Sequence, residues 1–377
     1  MCAANVVSFL PLAYALSPDV KVSGDMCTVI PLGCGKDDGP NILAAFQWCR
    51  TQGKIVLDGE YTIGSVLVTT ELKCVHVEFT GSFNFVPNTS YWTENSYYMG
   101  YQNASTFWFL SGDHIHLFGG GTLNGNGQVW WDALANNSIG VAGVSSTTFA
   151  RPVLLTVGNA SNVLIDGLRQ VNSPSWNNLI YQSINVTYTN INISVTSNNS
   201  NPAKNTDGWD IFRSSRINIK DCVVNNTDDC VSFKPNTTYV NVTNLWCGSS
   251  HGISIGSLGQ YAGVTDIVED VRINNITMVK GQNGARIKTF GGSADQNSTA
   301  GGGSGYVLNV TFQNFHLTDI DHPILVDQYF LCTWHCLQCY STSTDICAKH
   351  PSQVKLSNIH CTFASSTCPD PVTLHAT

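Results

Sequence analysis

Four short strings hold the side chains best suited to chemistry: Asn205-Thr206-Asp207, Asp228-Asp229, Ser250-His251-Gly252 and Arg286-Ile287-Lys288. Three carboxylates suit the hydrolysis of a glycosidic bond. One must protonate the leaving oxygen while another activates a water on the opposite face of the sugar. Crowding helps, because like charges raise one another's proton affinity and one member can stay protonated to serve as the acid. Arg286 and Lys288 stand two residues apart, so on a strand they face one side and can clamp a carboxylate. Taken singly, each string has a plainer reading: a turn, a turn or calcium site, a structural histidine, a solvated strand face.

Spacing is what overturns the plainer readings. Asp207 and Asp228 are 21 residues apart, and Asp229 and His251 are 22 apart. Short segments rich in Val and Ile recur along the chain at 163–167, 186–193, 216–224, 239–246, 270–278 and 307–317. Val163 aligns with Val186, and Ile217 with Val240, at a step of 23 in both cases. A step of about 20–30 residues with several short strands in it is that of a parallel β-helix; propeller blades run longer and sandwiches keep no period. Later steps are longer, which predicts loops inserted on some coils. Residues one coil apart sit above one another, so the repeat itself brings Asp207, the Asp pair and His251 together. Neighbours on a straight strand face opposite ways, so Asp228 and Asp229 can share a cleft only if the chain bends there. Residues 42–49 show helical apolar spacing after Asp38-Gly39-Pro40-Asn41, and a short helix there is expected to cap the open N-terminal end. The cysteine-rich tail from Cys332 to Cys368 is expected to close the other end.

The 377 residues are 42% hydrophobic and only 12% charged, with a formal net charge of −8. This excludes a disordered chain and disfavours a nucleic-acid partner, which calls for a basic surface. No stretch approaches the ~20 apolar residues of a membrane span. Fourteen cysteines point to an oxidising compartment. Thirteen Asn-x-Ser/Thr sequons, at Asn88, Asn103, Asn136, Asn159, Asn185, Asn192, Asn198, Asn225, Asn236, Asn241, Asn275, Asn297 and Asn309, point the same way. The expectation is a secreted, extracellular, disulfide-bonded glycoprotein. Met1 to Leu16 reads as a signal segment without a basic start, and 17–377 as a single monomeric β-helix domain.

The strings Asn-Thr-Asp-Gly-Trp-Asp at 205–210, Asp-Asp-Cys-Val-Ser-Phe-Lys-Pro-Asn at 228–236, Ser-His-Gly-Ile-Ser-Ile-Gly-Ser-Leu-Gly-Gln-Tyr at 250–261 and Ala-Arg-Ile-Lys at 285–288 resemble the polygalacturonases of glycoside hydrolase family 28. All four stand in the family's order, and Gly-Thr-Leu-Asn-Gly-Asn-Gly-Gln at 121–128 matches as well. The residues flanking the Asp pair and the histidine look more like the exo-acting branch. The resemblance implies a right-handed parallel β-helix that hydrolyses polygalacturonate, the pectic polysaccharide, with inversion and without a metal or other cofactor. It implies Asp228 as general acid, Asp207 and Asp229 as the pair that holds and deprotonates the water, and His251 as the residue that tunes the acid or binds substrate. Asn205 joins the substrate site, Arg286 and Lys288 bind the galacturonate carboxylate, and Tyr329 matches a subsite tyrosine.

The rival readings are an endo-polygalacturonase or xylogalacturonan hydrolase of the same family, a calcium-dependent β-helix pectate lyase, and a polysaccharide-binding β-helix with no activity. Three clustered aspartates favour water attack over the lyase and the binder. Cys332-x-x-x-Cys336-x-x-Cys339 with His335 imitates a metal site, but in a cysteine-rich secreted chain disulfides are the expectation. Cys230 and Cys247 lie on adjacent coils and could bridge beside the site. Trp92, Trp108, Trp130, Trp131 and Trp176 could stack on sugars and wall off one end of the cleft, although each singly reads as core packing.

Overall fold

The computed structural model describes residues 18–135, 151–290, 301–330 and 353–364, with side chains up to residue 327. The segment Met1–Leu16 and most of the cysteine-rich tail lie outside these residues. The chain divides into two compact units. One comprises Met1–Ser175, Val186–Asn192 and Thr196–Ala203; the other comprises Trp176–Asn185, Ile193–Val195 and Lys204–Thr377.

The first unit opens with the strands Val20–Ser23 and Met26–Val29, and the helix Gly39–Trp48 follows, as the apolar spacing predicts. It buries Ile42, Ala45 and Phe46, and Phe46 meets Trp108 edge-on at 5.9 Å. Cys49, just past its end, is bridged to Cys27 on the strand Met26–Val29. Asp38 sits at the helix start but does not cap it. Its buried carboxylate accepts from Leu32 N and Thr62 N, and so ties two neighbouring segments to the helix entry. Beyond the helix, Leu67–Phe79 pairs in parallel with Ser105–Phe118, which pairs in parallel with Val153–Gly158. Trp92, Trp108, Trp130 and Trp131 are at most 1% exposed. They pack the core of this unit, so the expectation that they wall a cleft is not met by these four.

The second unit carries the repeat in plain form. One stack runs through Asn178–Tyr181, Trp209–Phe212, Asp229–Phe233 and Gly252–Leu258 to the end of Thr265–Phe290, each strand parallel to the next. A second stack runs through Ser215–Asn225, Thr237–Gly248, Thr265–Phe290 and Ser304–Phe330 to Gln353–Ala364, again all parallel. The register pairs Ile217 with Val240, the 23-residue step legible in the sequence, and the next partners are Val271 and Val310. The longer later steps are the expected insertions. Left-handed backbone recurs at Arg216, Tyr239, Asp270 and Asn309, and again at Asp221, Asn244, Asn275 and Asn314. Each set is in register, so the strand direction turns at the same place on every coil. Asn and Asp tolerate that conformation best among residues with a side chain. Their amides then bond up the stack, Asn275 to Asn244 and Asn244 to Asp221, both at 2.9 Å.

The two stacks differ in what they cover. Ser215–Asn225 alternates buried and exposed, as a half-solvated sheet must. Trp209–Phe212 and Asp229–Phe233 are buried at every position. Ile211, Phe233, Ile255 and Ile287 fill the inner row of this stack. Its outer row, Asp210, Ser232, Ser254 and Arg286, is polar. A polar row that is buried at Asp210, Ser232 and Ser254 and part-exposed at Arg286 is the structural mark of the site.

Among the described residues, no helix is long and apolar enough to cross a membrane.

Candidate active site

The stack brings the predicted strings together. Asp207, Asp228 and Asp229 each offer a carboxylate oxygen, and these oxygens lie within 4.8 Å of one another. Asp228 occupies a bend and Asp229 opens the strand Asp229–Phe233, which is the change of direction the Asp-Asp step requires. One residue later the register slips. Asp229 faces Gly252 and Val231 faces Ile253, so Cys230 is the additional residue of a bulge. Cys230 is turned inward and bridged to Cys247, the pairing expected from adjacent coils. A bulge of this kind re-aims the side chain beside it. Close packing of the backbone holds Asp207 in turn: a Cβ at Gly208 would stand 2.4 Å from the Cys230 carbonyl oxygen, so glycine is required after Asp207.

Buried asparagines fix the loop that carries Asp207, and sequence reasoning missed them. Asn177 donates through Nδ2 to the carbonyls of Thr206 and Asp207, and Asn178 donates to Gly208. Asn226 donates to the carbonyls of Thr206 and Asp229, joining two coils. Buried donors and acceptors of this kind are costly to leave unpaired, so they specify one backbone path. The available signal was the paired asparagines in Trp176-Asn177-Asn178 and Asn225-Asn226, which look like ordinary turn residues.

The three aspartates are in different electrostatic situations. Asp207 is 3% exposed. Burial, then the charges of Asp210 and Asp228, hold its proton affinity well above the usual carboxylate range. Burial acts in the same direction on Asp229. There it is outweighed by Lys288 and Lys234, and by hydrogen bonds from Lys288 at 2.8 Å and Ser254 at 2.6 Å, which bring the carboxyl down to about 2. Asp229 is therefore held ionised, whereas the surroundings of Asp207 favour its protonated form. Asp228 has the most exposed side chain of the three, at 17%. Its Oδ1 accepts from the Asp229 backbone N–H at 2.8 Å and lies 3.2 Å from His251 Nδ1, while Asn205 reaches its Oδ2 at 3.4 Å. Burial by itself would lower the His251 imidazole, but the bond to Asp228 and its charge raise it above its ordinary value.

A second buried acid–base pair lies at residues not singled out from sequence. Lys234 Nζ stands 2.9 Å from Asp210 Oδ1, with both side chains buried, and lies over the ring of Trp176 at 5.5 Å. Burial raises Asp210 to about 7 although Lys234 opposes it. Both residues were visible inside the quoted strings, as the last letter of Asn-Thr-Asp-Gly-Trp-Asp and the lysine of Phe-Lys-Pro-Asn. Nothing in their spacing marked them as a pair.

The expected carboxylate clamp is arranged differently from the reading of an open strand face. Lys288 is buried and bonded to Asp229, and Arg286 stands 3.8 Å from Asp327. Tyr329 lies on the strand Ser304–Phe330, but its side chain is outside the described residues. The carboxylate trio also has the spacing of a cation site. At Asp229 the Lys288 ammonium already supplies the positive charge.

The chain matches the profile of glycosyl hydrolases family 28 over residues 53–374. It belongs to that family. It is 42% identical over 340 residues to a probable exopolygalacturonase X of Aspergillus fumigatus, covering 89% of this chain and 74% of the relative. It is 40% identical over 359 residues to an exopolygalacturonase of Cochliobolus carbonum, covering 94% and 76%. Among solved structures, an endo-xylogalacturonan hydrolase from Aspergillus tubingensis superimposes with a TM-score of 0.75 at 31% identity, over 92% of this chain and 86% of that one. An exopolygalacturonase from Thermotoga maritima superimposes at 0.64 with 16% identity, over 95% of each chain, and supports the fold alone. The family 28 chain is a right-handed parallel β-helix and a glycoside hydrolase, as the motifs imply.

Proposed function

We propose that this family 28 hydrolase is an exo-polygalacturonase. It releases galacturonic acid from the non-reducing end of polygalacturonate, outside the cell and as a monomer. The observation that carries the chemistry is the trio itself, in which one carboxylate is held ionised, burial favours the proton on a second, and the third is the most exposed. Asp207, whose burial favours its proton, has a carboxylate oxygen within 4.8 Å of Asp228, so the proton can pass between them. Asp228, the member that substrate can reach, delivers that proton to the leaving oxygen. Asp229, kept ionised by Lys288, takes a proton from a water that it holds with Asp207. His251 orients Asp228 and lies close enough to restore its proton. Galacturonate recognition is assigned to Asn205, Arg286 and Lys288, with Tyr329 as the subsite tyrosine that the family resemblance implies. Exo-action is supported by the names of relatives 40–42% identical over most of the chain.

Digesting polygalacturonate and separating the products over time tests the reading. Monomer from the first minutes supports exo-hydrolysis; a ladder of oligomers means endo-action, and an unsaturated product means a lyase. Oxygens as close as 4.8 Å would also suit a carboxylate nucleophile and retention. Proton NMR of the first product decides this. Inversion of an α-linkage gives β-galacturonate, and the α-anomer would overturn the single-displacement reading.

A second reading, action on xylogalacturonan, is favoured by the 31% identical hydrolase structure. Incubation with xylose-branched and unbranched polymer in parallel separates the two.

A further inference from the structure

The thirteen sequons raise a question that composition leaves open: whether any of them sits where a sugar would be held. Two have a tyrosine two positions before the asparagine, Tyr101-Gln102-Asn103 and Tyr239-Val240-Asn241. A ring at that offset can lie beside the first sugar attached to the asparagine, if the ring is free to do so. Tyr101 is 6% exposed and packed away, whereas Tyr239 is 57% exposed. Tyr239 and Asn241 line one groove of about 310 Å³ with Asp270, Arg272 and Asn309. Thr243, which completes the sequon, lies two residues further along the same strand, Thr237–Gly248.

We propose that Asn241 is an N-glycosylation site whose innermost sugar lies in this groove against Tyr239. The proposal rests on passage through a eukaryotic secretory route. Three observations on the second unit support it. The platform is part of the repeat, because Tyr239 is at a left-handed corner repeated in register by Asp270 and Asn309. A ring face beside the attachment point suits the apolar face of a sugar, as aromatic side chains with one wet edge do. Asp270 and Arg272 supply an acceptor and a donor for the sugar's hydroxyl and N-acetyl groups. A galacturonate chain is the poorer occupant, since Asp270 would oppose its carboxylates. Asn309 also begins a sequon in the groove, but its amide is bonded to Asp270 Oδ1 and no ring stands two positions before it. The Asn241 amide makes only a long 3.3 Å bond to Asn218.

The test is glycopeptide mass spectrometry on the full chain secreted from a eukaryotic host, with Asn88 and Asn159 as exposed reference sequons. The expected result is a glycan on Asn241 in most molecules, with occupancy falling several-fold in Tyr239→Ala while Asn88 and Asn159 are unchanged. Enzymatic removal of the glycan should lower the Tm of the Tyr239 protein more than that of Tyr239→Ala. Thr243→Val, which removes the sequon but leaves the ring, should reproduce the lower Tm without enzyme treatment. An unmodified Asn241 alongside occupied reference sequons overturns the proposal and leaves the secretory reading standing. So does occupancy and a Tm shift that ignore Tyr239→Ala. Absence of glycan from every sequon overturns both.

Discussion

Asp228 and Asp229 are sequence neighbours with opposite proposed tasks, and what separates them is the company each keeps. Asp229 is enclosed by Lys288 and Ser254; Asp228 is the more exposed, with His251 beside it. General acid catalysis contributes roughly 10²–10⁴-fold. Asp228→Asn should therefore lower kcat by about that factor with little change in KM, read from initial rates on polygalacturonate. Lys288→Met tests the other carboxylate. Without the ammonium, only Lys234 and Ser254 are left to oppose burial, and Asp229 binds its proton at higher pH. The acidic limb of the kcat/KM profile should then move upward in pH, so that activity is lost first on the acidic side. An unmoved limb would remove Asp229 from the role of base.

At the scale of elements, the site depends on one bulge and the disulfide that fills it. Cys230 is the unpaired residue of the bulge, and the bond to Cys247 ties it to the neighbouring stack. The bridge spans 17 residues. A loop of about 15 residues is worth roughly 3 kcal/mol in the chain-entropy account. The double variant Cys230→Ser, Cys247→Ser should lose stability of that order in urea unfolding. It should also lose kcat at temperatures where circular dichroism still reports a folded chain, because the strand that aims Asp229 is no longer pinned. Full kcat in the folded double variant would show that the bulge holds its shape through Asn226 and the backbone alone.

The whole molecule carries a net charge of −8 and takes an anionic polymer as its proposed substrate. Locally the balance differs, since Lys234 and Lys288 each answer one buried carboxylate. Stability should follow this pairing. Asp210 binds its proton to about pH 7 when folded, against about 3.9 unfolded. The folded state thus holds more protons across that window, and stability falls as pH rises from about 4 to about 7. Asp207 acts in the same direction. Asp229, lowered to about 2, contributes stability that is present above about pH 4 and lost as pH falls toward 2. Tm should therefore peak near pH 4–5 and decline toward neutrality. Asp210→Asn should flatten that decline, and a Tm profile that rises from pH 5 to pH 7 would contradict the assignment of protons to Asp207 and Asp210.

The sequence by itself determined the coil, the helix Gly39–Trp48 and the gathering of Asp207, Asp228, Asp229 and His251. It could do so because these follow from period and turn chemistry: stacked coils put residues about 22 positions apart on one face. It also marked Cys230 and Cys247 as neighbours and the Asp-Asp step as a bend. Other features depended on burial and charge, which no spacing reports. Four of the five tryptophans turned inward as core, Lys288 turned to Asp229 where an open strand face was expected, and Asp210 and Lys234 met as a buried pair. Asn177, Asn178 and Asn226 look like turn residues in any alphabet of motifs. Only the fold shows that their amides hold the backbone on which Asp207 and Asp229 stand. Which aspartate keeps a proton and which is an ion was likewise a matter of tertiary structure, because it is set by the distance to a lysine two coils away.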